Sequence, residues 1–139
     1  MDTSNKSKDF EALVSELIAR ADAALVKEAE NYDVVLAESI AALKQALSDD
    51  NYKDASRIAY SIKGAAGSLG WPLASTAAGY LRHVLDETHK VDKIDESIAV
   101  HVNTLELLYK NQMKDDHPEG IKLIKNLYNL LVKFDITPT

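Results

Sequence analysis

The chain has 139 residues, 46% of them hydrophobic and only 6% aromatic, with a formal net charge of −6 and no cysteine. Its length suits one domain able to bury a core without staples, and the lack of cysteine excludes disulfides, thiolate catalysis and zinc–sulfur sites. An acidic chain with no basic block is a poor nucleic-acid binder, because phosphate contacts need clustered Lys and Arg.

The lysines of the last quarter (Lys110, Lys114, Lys122, Lys125, Lys133) are spread over two predicted helices and read as solvated faces. No apolar run approaches the ~20 residues that span a bilayer, and none resembles a signal peptide. The expectation is a soluble, cytoplasmic protein without membrane or nucleic-acid partners. Five glycines and three prolines are few for a β-rich fold, so the predicted class is all-α.

Residues 1–7 are polar and predicted to fray. A first helix over about 8–30 carries Phe10, Leu13, Val14, Leu17, Ile18, Ala21 and Leu25 at helical spacing. No Gly or Pro interrupts residues 8–50, and Asn31-Tyr32-Asp33 is the soft point. We read a break there and a second helix over about 33–48, burying Leu36, Ile40, Leu43 and Leu47. The polar cluster Ser48-Asp49-Asp50-Asn51 then turns the chain and caps the next helix. That third helix covers about 51–69. Gly70 suits the left-handed position beyond its end, and Pro72 suits the first turn of the fourth.

The fourth helix, about 72–89, presents Leu73, Ala74, Ala77, Ala78, Leu81, Val84 and Leu85; its small residues predict a close crossing. A fifth, about 91–113, presents Ile94, Ile98, Val102, Leu105 and Leu108. Pro118 opens a sixth, to about 134, with Ile121, Ile124, Leu127, Leu131 and Phe134 on one side. The tail from Ile136 is predicted to be loose. Short connections after residues 50, 70 and 90 force antiparallel neighbours. The prediction is an up-down-up-down four-helix core over about 33–113, with one extra helix at each end, in a single domain.

Catalytic chemistry finds little footing. His83, His89, His101 and His117 are scattered, and no Glu-x-x-His pair recurs as a di-metal bundle needs. His101, near its helix's apolar stripe, reads as a partly buried packing residue. No nucleophile has a base beside it, so neither an enzyme, nor a metal site, nor a cofactor is expected.

The least generic stretch is 55–70. Ile58, Ala59, Ile62, Ala65, Ala66 and Leu69 make one apolar stripe, and Arg57, Tyr60, Lys63, Gly64 and Gly67 fall opposite. Each glycine costs a helix interior about 1 kcal/mol against alanine. Either something outside the chain approaches this face closely, or a neighbouring helix of the same chain does; the spacing alone leaves both open.

Here the chain resembles the histidine-containing phosphotransfer (HPt) family. That family's Ala-His-x-Leu-Lys-Gly pattern meets Ala59-Tyr60-Ser61-Ile62-Lys63-Gly64, and Leu69-Gly70 comes next in register. Leu43, Ala46, Leu47, Asp50, Asn51, Tyr52 and Ala55 upstream, and Ala78 and Leu81 downstream, extend the likeness over about 33–110. Tyr60 stands where the family has its phosphorylated histidine. Lesser departures are Trp71 and Pro72 after the turn, Ala74 at a usual leucine and Arg82 at a usual glutamate.

The resemblance implies a docking surface of Arg57, Tyr60, Ser61, Lys63, Gly64 and Gly67 for a response-regulator receiver domain or a histidine kinase. It has no catalytic residue, because a phenol is almost wholly protonated at neutral pH and its phosphate ester is too stable to return phosphate to an aspartate. Three alternatives stay open: an active phosphotransferase whose native residue at position 60 is histidine, a helical scaffold working through its terminal helices, and phosphorylation of Tyr60 as a switch. Partner identity and oligomeric state are not legible.

Overall fold

The computed structural model describes residues 3–87, 94–134 and 136, with side chains for 8–87, 95–134 and 136. Five helices come in order: α1 (Thr3–Ser48), α2 (Tyr52–Ser68), α3 (Pro72–Asp86), α4 (Ile94–Lys110) and α5 (Pro118–Lys133). The fold is all-α, a four-helix core with an added C-terminal helix. The chain divides into two compact units, Met1–Asn31 and Tyr32–Thr139. None of the described helices is long and apolar enough to cross a membrane.

The predicted break at Asn31-Tyr32-Asp33 does not occur, and α1 is helical throughout. Asn and Asp are weak breakers without Gly or Pro, and Tyr32 is buried in the core rather than turned out. Tertiary packing overrides local preference there. The α1 helix stops where Asp50 takes a positive φ of 54°. Asn51 then caps α2, its side-chain oxygen accepting from the Asp54 amide at 3.1 Å.

The turn between α2 and α3 has the predicted chemistry. Gly70 has φ +91°, the Trp71 amide donates to the Ala66 carbonyl at 2.9 Å, and Pro72 opens α3. Trp71 is fully buried, stacks on Tyr109 at 6.2 Å and lies under the Lys114 ammonium at 5.2 Å. The Leu73 amide donates to the Lys114 carbonyl at 3.2 Å. The tryptophan thus pins the α2–α3 turn to the end of α4.

Helices α3 and α4 are shorter than predicted. The fourth predicted helix extended to 89 and the fifth began at 91, but residues 88–93 lie outside the described ones. At its far end α4 closes earlier, where Gln112 takes φ 52°. In unit Tyr32–Thr139, α3 packs against α2, α4 and α5. The centre is filled by Leu36, Leu43, Ile62, Leu81, Leu105 and Leu127, all fully buried. Three expectations fail in detail. Leu47 is only partly buried, Ile121 is half-exposed, and Ile136 is packed rather than loose, its amide donating to the Leu131 carbonyl at 2.9 Å.

His101 is more deeply buried than predicted, with no exposure. Its Nδ1 lies 2.7 Å from the Ser97 carbonyl oxygen, so Nδ1–H donates there and Nε2 is left buried with no partner among the described residues. Burial holds its pKa below the ordinary 6.5, against the smaller opposing effect of the Ser97 bond. A depressed folded-state value means the unfolded chain takes up the proton first. Stability is therefore full above about pH 6.5 and falls as pH drops towards the folded-state pKa. Urea unfolding between pH 7.5 and 5.5 should show that loss, and His101→Leu should flatten it. An equal slope in the variant would assign the loss to other groups.

Candidate functional site

The predicted site residues all lie on α2, and the helix explains which way each one faces. Ala55, Ile58, Ala59, Ile62 and Ala66 are buried. Arg57, Tyr60, Ser61, Gly64 and Gly67 are exposed or half-exposed and Lys63 is half-buried. The face is therefore one continuous strip, with Tyr60 at its centre and 59% exposed.

The two glycines on this strip differ. A Cβ on Gly67 would lie 3.1 Å from the Ser75 Oγ of α3, so internal packing accounts for that glycine. A Cβ on Gly64 would meet nothing within 4 Å. Nothing in the described chain requires a glycine there. Of the two explanations left open by spacing, internal packing fits Gly67 and, among the described residues, does not fit Gly64.

Lys63 is positioned by α3. Its aliphatic stem passes over Gly79, where an added Cβ would lie 3.4 Å from the Lys63 Cδ. The Ser75 hydroxyl donates to the Lys63 backbone carbonyl at 2.6 Å. Lysines commonly lay their stems on apolar surface and keep the ammonium in water. Here the stem lies over α3 at Gly79, from a backbone position one turn beyond Tyr60.

Arg82, also on α3, places its guanidinium carbon 4.7 Å from the centroid of the Tyr60 ring. Arg57 is held by Asp54 at 2.6 Å. Ser56 Oγ donates to Asp86 at 3.2 Å, joining α2 to α3. Ser56, Arg57, Tyr60 and Arg82 line an open depression of about 410 Å³. It offers cationic and aromatic surface. Among the described residues no group of three His, Cys, Asp or Glu side chains gathers to hold a metal. A second open depression of about 420 Å³, next to Tyr52, Lys44 and Asp95, lies among residues outside this strip.

Sequence reasoning missed three contributors, Ser75, Gly79 and the stacking role of Arg82. Gly79 had a visible signal, as a glycine inside a predicted helix. Its partner depends on how α2 and α3 register, which spacing within either helix does not carry.

No curated protein and no solved structure matches the chain. The Hpt domain family matches residues 8–132, which is most of the 139 and includes the whole Tyr60 strip. The chain belongs to the Hpt domain family, the helical phosphotransfer modules of phosphorelay signalling.

Proposed function

We infer that this Hpt domain docks a response-regulator receiver domain on the α2 strip around Tyr60, and that it does so without relaying phosphate. A histidine kinase is the other partner class such a strip suits. The observation that carries the reading is Gly64, a helix-interior glycine with open space where its Cβ would be. A residue type that costs a helix about 1 kcal/mol and relieves no internal clash is accounted for by close approach from outside.

Tyr60 supplies the contact and withholds the chemistry. Its ring is a rigid amphipathic anchor with few rotamers to lose, and the Arg82 guanidinium stacked on it restricts it further. Lys63 and Arg57 add positive charge on either side, matched to the acidic surroundings of a receiver's acceptor aspartate. A phenol forms a phosphate ester too stable to pass phosphate on to a carboxylate. Docking here therefore sequesters or inhibits.

Two measurements check the strip. Titrating the purified chain with the receiver domains of its own genome should find at least one binder. Gly64→Gln should weaken that binding by tenfold or more with an unchanged or slightly raised Tm; failure of every receiver to bind would overturn the reading. Incubation with a phosphorylated receiver should leave the chain unlabelled, whereas Tyr60→His should take up acid-labile phosphate. Labelling of the unsubstituted chain would contradict the account.

The glycines also predict stability. Gly64→Ala should stabilise by up to about 1 kcal/mol. Gly67→Ala should gain less, because its new methyl crowds Ser75 Oγ. Equal gains in denaturant melts would mean that the crowding at Gly67 is relieved at no cost.

A further inference from the structure

Within unit Met1–Asn31, taken by itself, the described residues of α1 carry large apolar side chains that are exposed. Phe10, Leu13, Val14, Leu17, Ile18 and Leu25 are 37–67% exposed. With Ala21 and Ala24 they form one stripe at helical spacing. This patch is on the order of 500 Å², near the top of the about 300–600 Å² that the largest patch on a typical monomer reaches. Helices gain most of their stability by burying such a face.

The stripe is graded along its length. Its N-terminal half carries Phe10, Leu13, Val14 and Leu17; its C-terminal half sets the small Ala21 and Ala24 between Ile18 and Leu25. One flank is graded in charge as well. Asp9 and Glu16 precede Arg20 and Lys27 on that side, and Glu16 already pairs with Arg20 at 2.6 Å within the helix.

We propose that this segment pairs with the same segment of a second copy, antiparallel, with Leu17 at the two-fold axis. Phe10 then meets Ala24 of the second copy and Leu13 meets Ala21, so bulk faces small residues at both ends. On the charged flank Asp9 comes beside Lys27 of the second copy, and Glu16 beside Arg20. A parallel pair sets Phe10 on Phe10 and Ala24 on Ala24, and brings the flank of Asp9 and Lys27 beside the other flank of the second copy, so neither charge pair forms. The other flank, with Glu11 and Asp22, brings acid near acid and opposes the pairing. Two attractive contacts against one repulsive, each made twice by the symmetry, favour association.

The buried area falls below the about 800 Å² per partner of a standard interface, so the dimer is a weak, reversible one. The inference stands on unit Met1–Asn31 alone and does not depend on receiver docking.

Sedimentation of the full chain between about 1 and 200 µM should show a monomer–dimer equilibrium. Leu17→Glu should raise the dissociation constant at least tenfold, with helicity by circular dichroism unchanged. Glu16→Arg should weaken association and Glu16→Arg combined with Arg20→Glu should restore it. Because the chain has no cysteine, introduced thiols report orientation cleanly. Phe10→Cys mixed with Ala24→Cys should oxidise mainly to the mixed disulfide. A monomer at every concentration, or a dimer indifferent to Leu17→Glu, overturns the proposal. Preferential Phe10→Cys self-coupling overturns the antiparallel arrangement.

Discussion

At the crossing of α2 and α3 there is little room for side chains of ordinary size. Gly67 faces Ser75, Gly79 lies under the stem of Lys63, and the Ser75 hydroxyl bonds the Lys63 carbonyl. Ala59 and Ala66 on α2 and Ala74, Ala77 and Ala78 on α3 are buried along with them. Close packing at this density leaves few alternative registers. It fixes the rotation of α2, and the rotation of α2 decides that Tyr60, Gly64 and Arg57 face outward. The same crossing lays the Lys63 stem over Gly79 and brings Arg82 over the Tyr60 ring. Trp71, buried beneath the turn, keeps the two helices joined at that end.

Within that geometry one side chain decides the chemistry. The scaffold offers positive charge and a clear approach where a phosphoryl group is handled in the family, but the central group is a phenol. On the proposed reading the charges and the open position at Gly64 still serve recognition, since they act on a partner's surface whether or not a bond forms. That reading makes the catalytic and binding functions of one site separable by a single residue, because transfer needs a particular leaving-group chemistry and docking needs shape and charge.

Features set by local chemistry were legible from the residues alone. Gly70 in the left-handed region, Pro72 and Pro118 at helix starts, and the Asn51 cap each depend on neighbours within one turn. The outward face of α2 was legible too, since helical period alone assigns it. Features set by register between helices were not. The Lys63–Gly79 contact and the Arg82–Tyr60 stack require knowing how α2 and α3 align. The expected break at Asn31-Tyr32-Asp33 failed for a related reason: two weak breakers were outweighed by burial of Tyr32 in a core that the local stretch does not reveal. Ile136 was read as loose by its place in the chain, yet its amide and side chain both find partners at the end of α5.

The central claim is that the α2 strip is the surface a receiver domain meets. Backbone amide exchange of the full chain, measured with and without a saturating receiver domain, reads that surface directly. Protection should concentrate on Arg57–Gly67 of α2 and on α3 near Arg82, with α5 unaffected. Protection confined to α5, or to the residues around Tyr52 and Asp95, would place the partner elsewhere and contradict the account.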